Sequence, residues 1–367
     1  MTLKASIVRI SLYCLIPVLW VISACIDEIQ LDLPESNQNQ LVIQGQLLSG
    51  DTTWVKVRIS RTADFQAQSV PVPVEQAEVT LFNQLGDQVQ LVEVEPGSYQ
   101  LNMDQVLSDM PINQGDEYQL EVRLAEGAIY RSQGETLYPV PTPDSLSFVM
   151  IDREELNESG NRVVNSYMQF FLYSPLIAEG ANEPSRLHWD FQGIYKLDET
   201  PPPPNVPGPG PATCYILRNL NFDQVVVHNG NESGTSRLER FALMEEKVDA
   251  RFALGFLLNV RQQSLTPQGY DYWNKVAQTV ALSGGLFEAT PGSITGNISS
   301  ESDPSEQVLG YFYVSQQKTV QLFIRPEDAG SPPEQCEMGT FDGDSELCNN
   351  CLSAIGSTLT KPQGWED

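Results

Sequence analysis

The chain has 367 residues, with 21 basic against 48 acidic side chains and a formal net charge of -27 at pH 7. An acidic excess of that size repels phosphate backbones and anionic membrane surfaces, which sets nucleic acid aside as a partner. The length suffices for two ordinary domains with separate cores, and two histidines in the whole chain leave little material for acid-base or metal chemistry.

Lys4 and Arg9 lead an almost uncharged apolar run from Ile10 to Ile22, too short and wrongly flanked for a membrane span. It ends in Ile22-Ser23-Ala24-Cys25. A branched aliphatic, two small residues and a cysteine make the box at which a lipoprotein peptidase cuts before a lipidated sulfur. The expectation is a lipoprotein signal peptide over residues 1-24, lipidation at Cys25, and a polar lipidated tether over 25-40. A multiply acylated cysteine anchors a protein to a membrane without any transmembrane helix.

Strand alternation begins at Leu41-Val42-Ile43-Gln44-Gly45-Gln46-Leu47. Val55, Val57 and Ile59 interleave with Lys56, Arg58 and Ser60, as in a strand with one buried face. Ala77, Val79 and Leu81 continue the pattern, Leu85-Gly86-Asp87 turns it, and Val89 and Leu91 return. Glu95-Pro96-Gly97 turns again into Tyr99 and Leu101, and Tyr118 to Leu124 and Ile129-Tyr130 follow. This succession predicts an immunoglobulin- or transthyretin-like β-sandwich over residues 41-138. Pro139-Val140-Pro141-Thr142-Pro143 is a stiff connector and the predicted domain boundary.

A second β-rich domain carrying one or two helices is expected over 144-367, so the chain as a whole reads as mainly β. Strands are expected at Leu146 to Ile151, Val163 to Tyr173 and Leu187 to Tyr195, the last with Trp189 and Phe191 on one face. The proline-rich stretch 201-211 must be an exposed loop. After a strand near Leu254 to Arg261, Thr266 caps a helix, Pro267 takes its first position, and Tyr270, Trp273, Ala277 and Val280 form an apolar stripe before Gly284-Gly285. That stripe should pack on a sheet; the alternative is ligand binding by Tyr270 and Trp273. Two further strands are expected at Val308 to Val314 and Thr319 to Ile324.

Of six cysteines, Cys14 goes with the signal and Cys25 takes lipid, leaving Cys214, Cys336, Cys348 and Cys351. An even number outside the cell favours two disulfides, with three pairings open; Cys214 stands alone near the proline run and the other three lie in a cysteine-bearing tail over 336-367. A zinc site or a redox pair at Cys348-Asn349-Asn350-Cys351 is the alternative. His188 and His228 stand apart from any metal-ligand spacing, and Ser315-Gln316-Gln317-Lys318 fits the S-x-x-K pattern only formally. Asp342, Asp344 and Glu346 are weak calcium candidates in an acidic loop. No residue is assigned a catalytic role, no cofactor is expected, and the ligand-binding residues stay unassigned.

Several short motifs resemble a known family. Leu41-Val42-Ile43-Gln44-Gly45, Ala77-Glu78-Val79 and Gly97-Ser98-Tyr99 resemble the opening of the DUF4249 lipoproteins of Bacteroidota. Ser264-Leu265-Thr266 leading to Tyr272-Trp273, Gly296-Asn297-Ile298, Val308 to Phe312 and a terminal cysteine pair followed by Lys361-Pro362 and Trp365 occur in that family's order. Asp27 and Glu28 resemble the signal that sends such lipoproteins to the outer face of the outer membrane. The resemblance implies an outer-membrane, surface-exposed lipoprotein that acts as accessory or capture subunit of a TonB-dependent transporter. A surface adhesin or structural module is the alternative, and a glycan- or peptide-acting hydrolase a more distant one.

Overall fold

A computed structural model describes residues 39-63, 70-106, 110-157, 159-201, 210-220, 224-281, 294-336 and 347-366. The expected signal peptide, Cys25, the tether as far as residue 38, prolines of the 202-209 segment, Gly284-Gly285, and Asp342, Asp344 and Glu346 lie outside the described residues.

The fold is mainly β. In the first half the strands are β1 (Leu41-Ser49), β2 (Trp54-Arg61), β3 (Val72-Pro73), β4 (Glu78-Asn83), β5 (Gln88-Gln90), β6 (Val92-Glu95), β7 (Ser98-Asn102), β8 (Glu117-Arg123), β9 (Ile129-Ser132) and β10 (Glu135-Thr136). The second half adds β11 (Ser145-Leu156), β12 (Arg162-Pro175), β13 (Arg186-Asp198), β14 (Thr213-Asn219), β15 (Val226-Asn229), β16 (Arg237-Lys247) and β17 (Phe256-Leu265). Helix α1 (Pro267-Ala281), β18 (Ile298-Ser300), β19 (Phe312-Ile324) and β20 (Ser357-Thr358) complete it. No helix among the described residues is long and apolar enough to cross a membrane.

The strands make three sheets. The largest runs β20-β14-β13-β17-β19-β1-β2-β7-β6, with β15 added on β13 and β3 on β2. The second runs β18-β9-β8-β4-β5 with β10 on β8, and the third is β11-β12-β16. One core lies between the first-half strands: Leu41, Ile43 and Leu47 of β1 and Val55, Val57 and Ile59 of β2 meet Val79 and Leu81 of β4 and Leu120 and Val122 of β8. The alternation in β1 and β2 places these residues inward and Gln44, Gln46, Lys56 and Arg58 outward. A second core joins Trp189 and Phe191 of β13 and Phe256, Leu258 and Val260 of β17 to Met168, Phe170 and Leu172 of β12.

The two cores fall on either side of the proline connector, but the halves are not separate bodies. The first strand lies parallel to the last long one, with Gly45 opposite Phe312 and Gln46 opposite Tyr313, so a single sheet passes through both halves. Ile298, Val308, Phe312 and Val314 complete the first core from the far end of the sequence. The connector is itself tied down: Val140 N-H donates to Gln316 Oε1 at 2.8 Å, and the Pro141 carbonyl accepts from Gln262 Nε2 at 2.8 Å. From Asn39 onward the chain forms one unit.

Two local expectations change. Of the strand read at Val308 to Val314 only the part from Phe312 is strand, and it runs on through Ser315 to Lys318 into the one read at Thr319 to Ile324, all as β19. The strand read near Leu254 to Arg261 is shifted, and β17 continues to Leu265 directly into the helix cap. There Thr266 Oγ1 accepts from Gly269 N-H at 3.0 Å, satisfying one of the first-turn donors of α1.

Candidate functional site

The outer face of the large sheet, where β19, β1, β2 and β7 lie side by side, carries a groove of about 590 Å³. That volume is within the usual range for a small-ligand site. Its floor is set by strand register. Gln44 stands opposite Arg58 and Arg58 opposite Ser98; two residues along, Tyr313, Gln46, Lys56 and Gln100 stand in a second row. Tyr311 extends the first row, its carbonyl accepting from Gly45 N-H at 2.9 Å. Val94 and Glu95 of β6 close the far end.

Helix α1 forms the opposite wall. Tyr272 stacks on Tyr311 with ring centroids 4.5 Å apart, and Trp273 meets the Tyr313 ring edge-on at 5.7 Å. Behind the wall Trp273 stacks on His188 at 4.7 Å. The helix stripe thus packs on a sheet, and the same residue Trp273 lines the groove; Tyr270 packs in the cluster but stands outside the groove lining.

The floor is rich in hydrogen-bond donors. Tyr313 O-H donates to Gln46 Oε1 at 2.6 Å, which orients that amide. Arg58 is exposed and has no ion-pair partner among the described residues, and Lys56, also exposed, sits 5.6 Å from the Trp54 ring centroid. Glu93 is turned away from the groove, accepting the N-H groups of Gln76 and Gly97, each at 3.0 Å; those bonds hold its carboxyl below the usual range. Among the described residues, Glu95 is the carboxylate that lines the groove. The Trp273 indole N-H is buried and has no acceptor among the described residues.

A buried junction holds the wall in place. Glu135 of β10 is 3% exposed and accepts from Tyr311 O-H, from Thr266 Oγ1 at 2.6 Å and from Asn297 Nδ2 at 3.3 Å. Burial pushes the Glu135 carboxyl up, against the pull of those three donors. Burial first and the neighbouring Glu135 second push the Tyr311 phenol far above its ordinary value, so it stays a donor. Asn297 also brackets Phe312, donating to its carbonyl at 2.8 Å and accepting its N-H at 2.9 Å, as a neighbouring strand would. The short motifs around Thr266, Tyr272-Trp273, Gly296-Asn297 and Gly310-Tyr311-Phe312 all meet at this junction and the wall above it.

Apart from Trp273, the described residues singled out from sequence as site candidates lie outside the groove lining. The four cysteines form two disulfides, Cys214 with Cys351 and Cys336 with Cys348, with Cα atoms 5.9 and 5.6 Å apart. The closely spaced Cys348 and Cys351 are thus not bonded to each other, and no thiol of the four is free for zinc or redox exchange. His188 is buried, its Nδ1 3.2 Å from Gln263 Oε1. His228 packs edge-on against Phe241, and burial lowers its pKa. Ser315 is buried against Ser264 while Lys318, an odd number of positions along the same strand, is exposed. Among the described residues no cluster of histidine, cysteine or acid has metal-binding geometry.

Sequence reading assigned no binding role to Gln44, Gln46, Lys56, Arg58, Gln100, Tyr311 or Tyr313. The signal present was the basic pair on the solvent side of β2, which any exposed strand face displays.

Comparison with curated proteins gives no match. The family described as a domain of unknown function, DUF4249, matches residues 26-321, a span that contains every groove residue and ends before the cysteine-bearing tail. The chain belongs to the DUF4249 family.

Proposed function

We propose that this chain is a binding module, a lipoprotein held in the outer membrane of a Bacteroidota-type envelope through Cys25 and facing the exterior. In this reading it serves as the accessory or capture subunit of a TonB-dependent transporter and performs no chemistry of its own. The observation that carries it is the groove: amides, two cations and aromatic rings set on a rigid sheet are groups that bind and orient a ligand. The cleavage box at Ile22 to Cys25 and the acidic pair Asp27-Glu28 support the anchor and its sidedness. Lipid would fix the module beside its transporter, and tethering raises local concentration so that weak contacts suffice. The first-half strands, with two antiparallel layers around one core, fit an immunoglobulin- or transthyretin-like sandwich fused to its neighbour through β1 and β19.

The partner is tested by affinity purification of the full chain from envelopes in gentle detergent. A TonB-dependent barrel that co-purifies at constant ratio supports the reading. Its absence favours a surface adhesin or structural module, and turnover of a glycan or peptide polymer by the pure protein would revive the hydrolase.

A further inference from the structure

The groove narrows the class of ligand, given the reading above that it is a binding surface. The strands that make its floor are already paired on both sides, β1 with β19 and β2, and β2 with β1 and β7. Their backbone N-H and C=O groups are committed to the ladders, so an extended peptide cannot add itself as a strand there. Recognition falls to side chains. These project from two rows about 7 Å apart, the two-residue repeat of a strand. They offer many donors and, among the described residues, one charged acceptor, Glu95.

A ligand complementary to that surface is rich in acceptors, carries negative charge, and has an apolar face for the wall. It also carries its charge sparsely, because a chain of net charge -27 repels a dense polyanion. We propose that the groove binds an acidic oligosaccharide, a short run of sugar rings bearing carboxylates. Arg58 and Lys56 take the carboxylates, Gln44 and Gln46 take hydroxyls, and the partly exposed Tyr272 and Trp273 cover the apolar side of a ring. The arginine fork matches a carboxylate in plane and charge, so it carries more of the recognition than the lysine.

The test is calorimetric titration of the detergent-solubilised full chain with trigalacturonate, its fully methyl-esterified twin, and a triglutamate peptide of the same charge. The expected result is saturable binding of trigalacturonate that weakens by about tenfold or more on esterification and in Arg58→Met, the affinity equivalent of one charge-assisted hydrogen bond. Lys56→Met should weaken it less. Both side chains are exposed, so unchanged thermal melting of the two variants checks that the fold is intact. Equal affinity for the ester, equal affinity for triglutamate, or no saturable binding of trigalacturonate overturns the proposal. A barrel that still co-purifies while trigalacturonate fails to bind removes the acidic sugar and leaves the capture reading standing; loss of the barrel with the sugar still bound does the reverse.

Discussion

Gly310 holds φ at +96°, and a β-carbon there would come 2.0 Å from the Ile43 carbonyl oxygen. Alanine at that position meets both a disfavoured backbone region and the strand it lies against. Gly310→Ala should therefore lower stability by at least about 1-3 kcal/mol from the backbone alone, read as an earlier urea midpoint, and an unchanged midpoint would contradict the packing described for β1. His228 gives a pH dependence of definite sign. Burial disfavours its charged form, so the folded-state pKa lies below the ordinary 6.5, while Glu232 pulls weakly the other way. The unfolded chain then binds more protons, and the stabilisation, complete above that ordinary value, is lost as pH falls through the folded one. Melting temperature should drop on acidification from about pH 7.5 to about pH 5.5 more steeply for the native chain than for His228→Gln; parallel slopes would contradict a half-buried imidazole held neutral. Sequence alone showed only that His188 and His228 stand apart from any metal-ligand spacing. It gave no sign that Asn297 would act as a strand surrogate for Phe312, since that pairing runs through a side-chain amide and leaves no backbone pattern.

The strands of the first half and helix α1 were legible because each carries a local signature: alternation with a period of two in β1 and β2, and Thr266-Pro267 ahead of a spaced apolar stripe in α1. The junction of β1 with β19 was not. Parallel pairing between segments more than 260 residues apart leaves no local mark, and Phe312 and Val314 alternate as they would in any sheet. Reading two independent domains was the natural result, and with it the groove vanished, because its floor exists only where β19 meets β1. Glu135 was invisible for the same reason, as its three donors come from Thr266, Asn297 and Tyr311. Glu135→Ala strands those donors in a buried site. The cost should be about 2-5 kcal/mol, taking about 1-3 kcal/mol for each group left unsatisfied and some relief from removing a buried carboxylate. Hydrogen exchange across residues 267-281 should accelerate as the wall loses its anchor, and exchange rates equal to the native chain's would argue against that role.

From Asn39 onward the molecule is built on one long sheet and two smaller ones, with a core on either side of the proline connector and a tail stapled to it. Cys214 and Cys351 are 137 residues apart in sequence, and closing a loop of that length removes enough unfolded-state entropy to stabilise by up to about 5 kcal/mol. The Cys336-Cys348 loop spans 12 residues and should contribute less, about 3 kcal/mol. The paired replacement Cys214→Ala with Cys351→Ala should thus lower the melting temperature more than Cys336→Ala with Cys348→Ala; the opposite order would contradict the pairing. Both bridges suit an oxidising exterior, the side of the envelope to which the proposed anchor leads. That anchor is the premise of the capture reading, because a groove with modest affinity is useful only if it is held next to the transporter it serves. Metabolic labelling with palmitate tests it most directly: the native chain should take up label and sediment with outer membrane, and Cys25→Ala should do neither. A native chain that stays unlabelled, or that fractionates with the cytosol, would contradict the account.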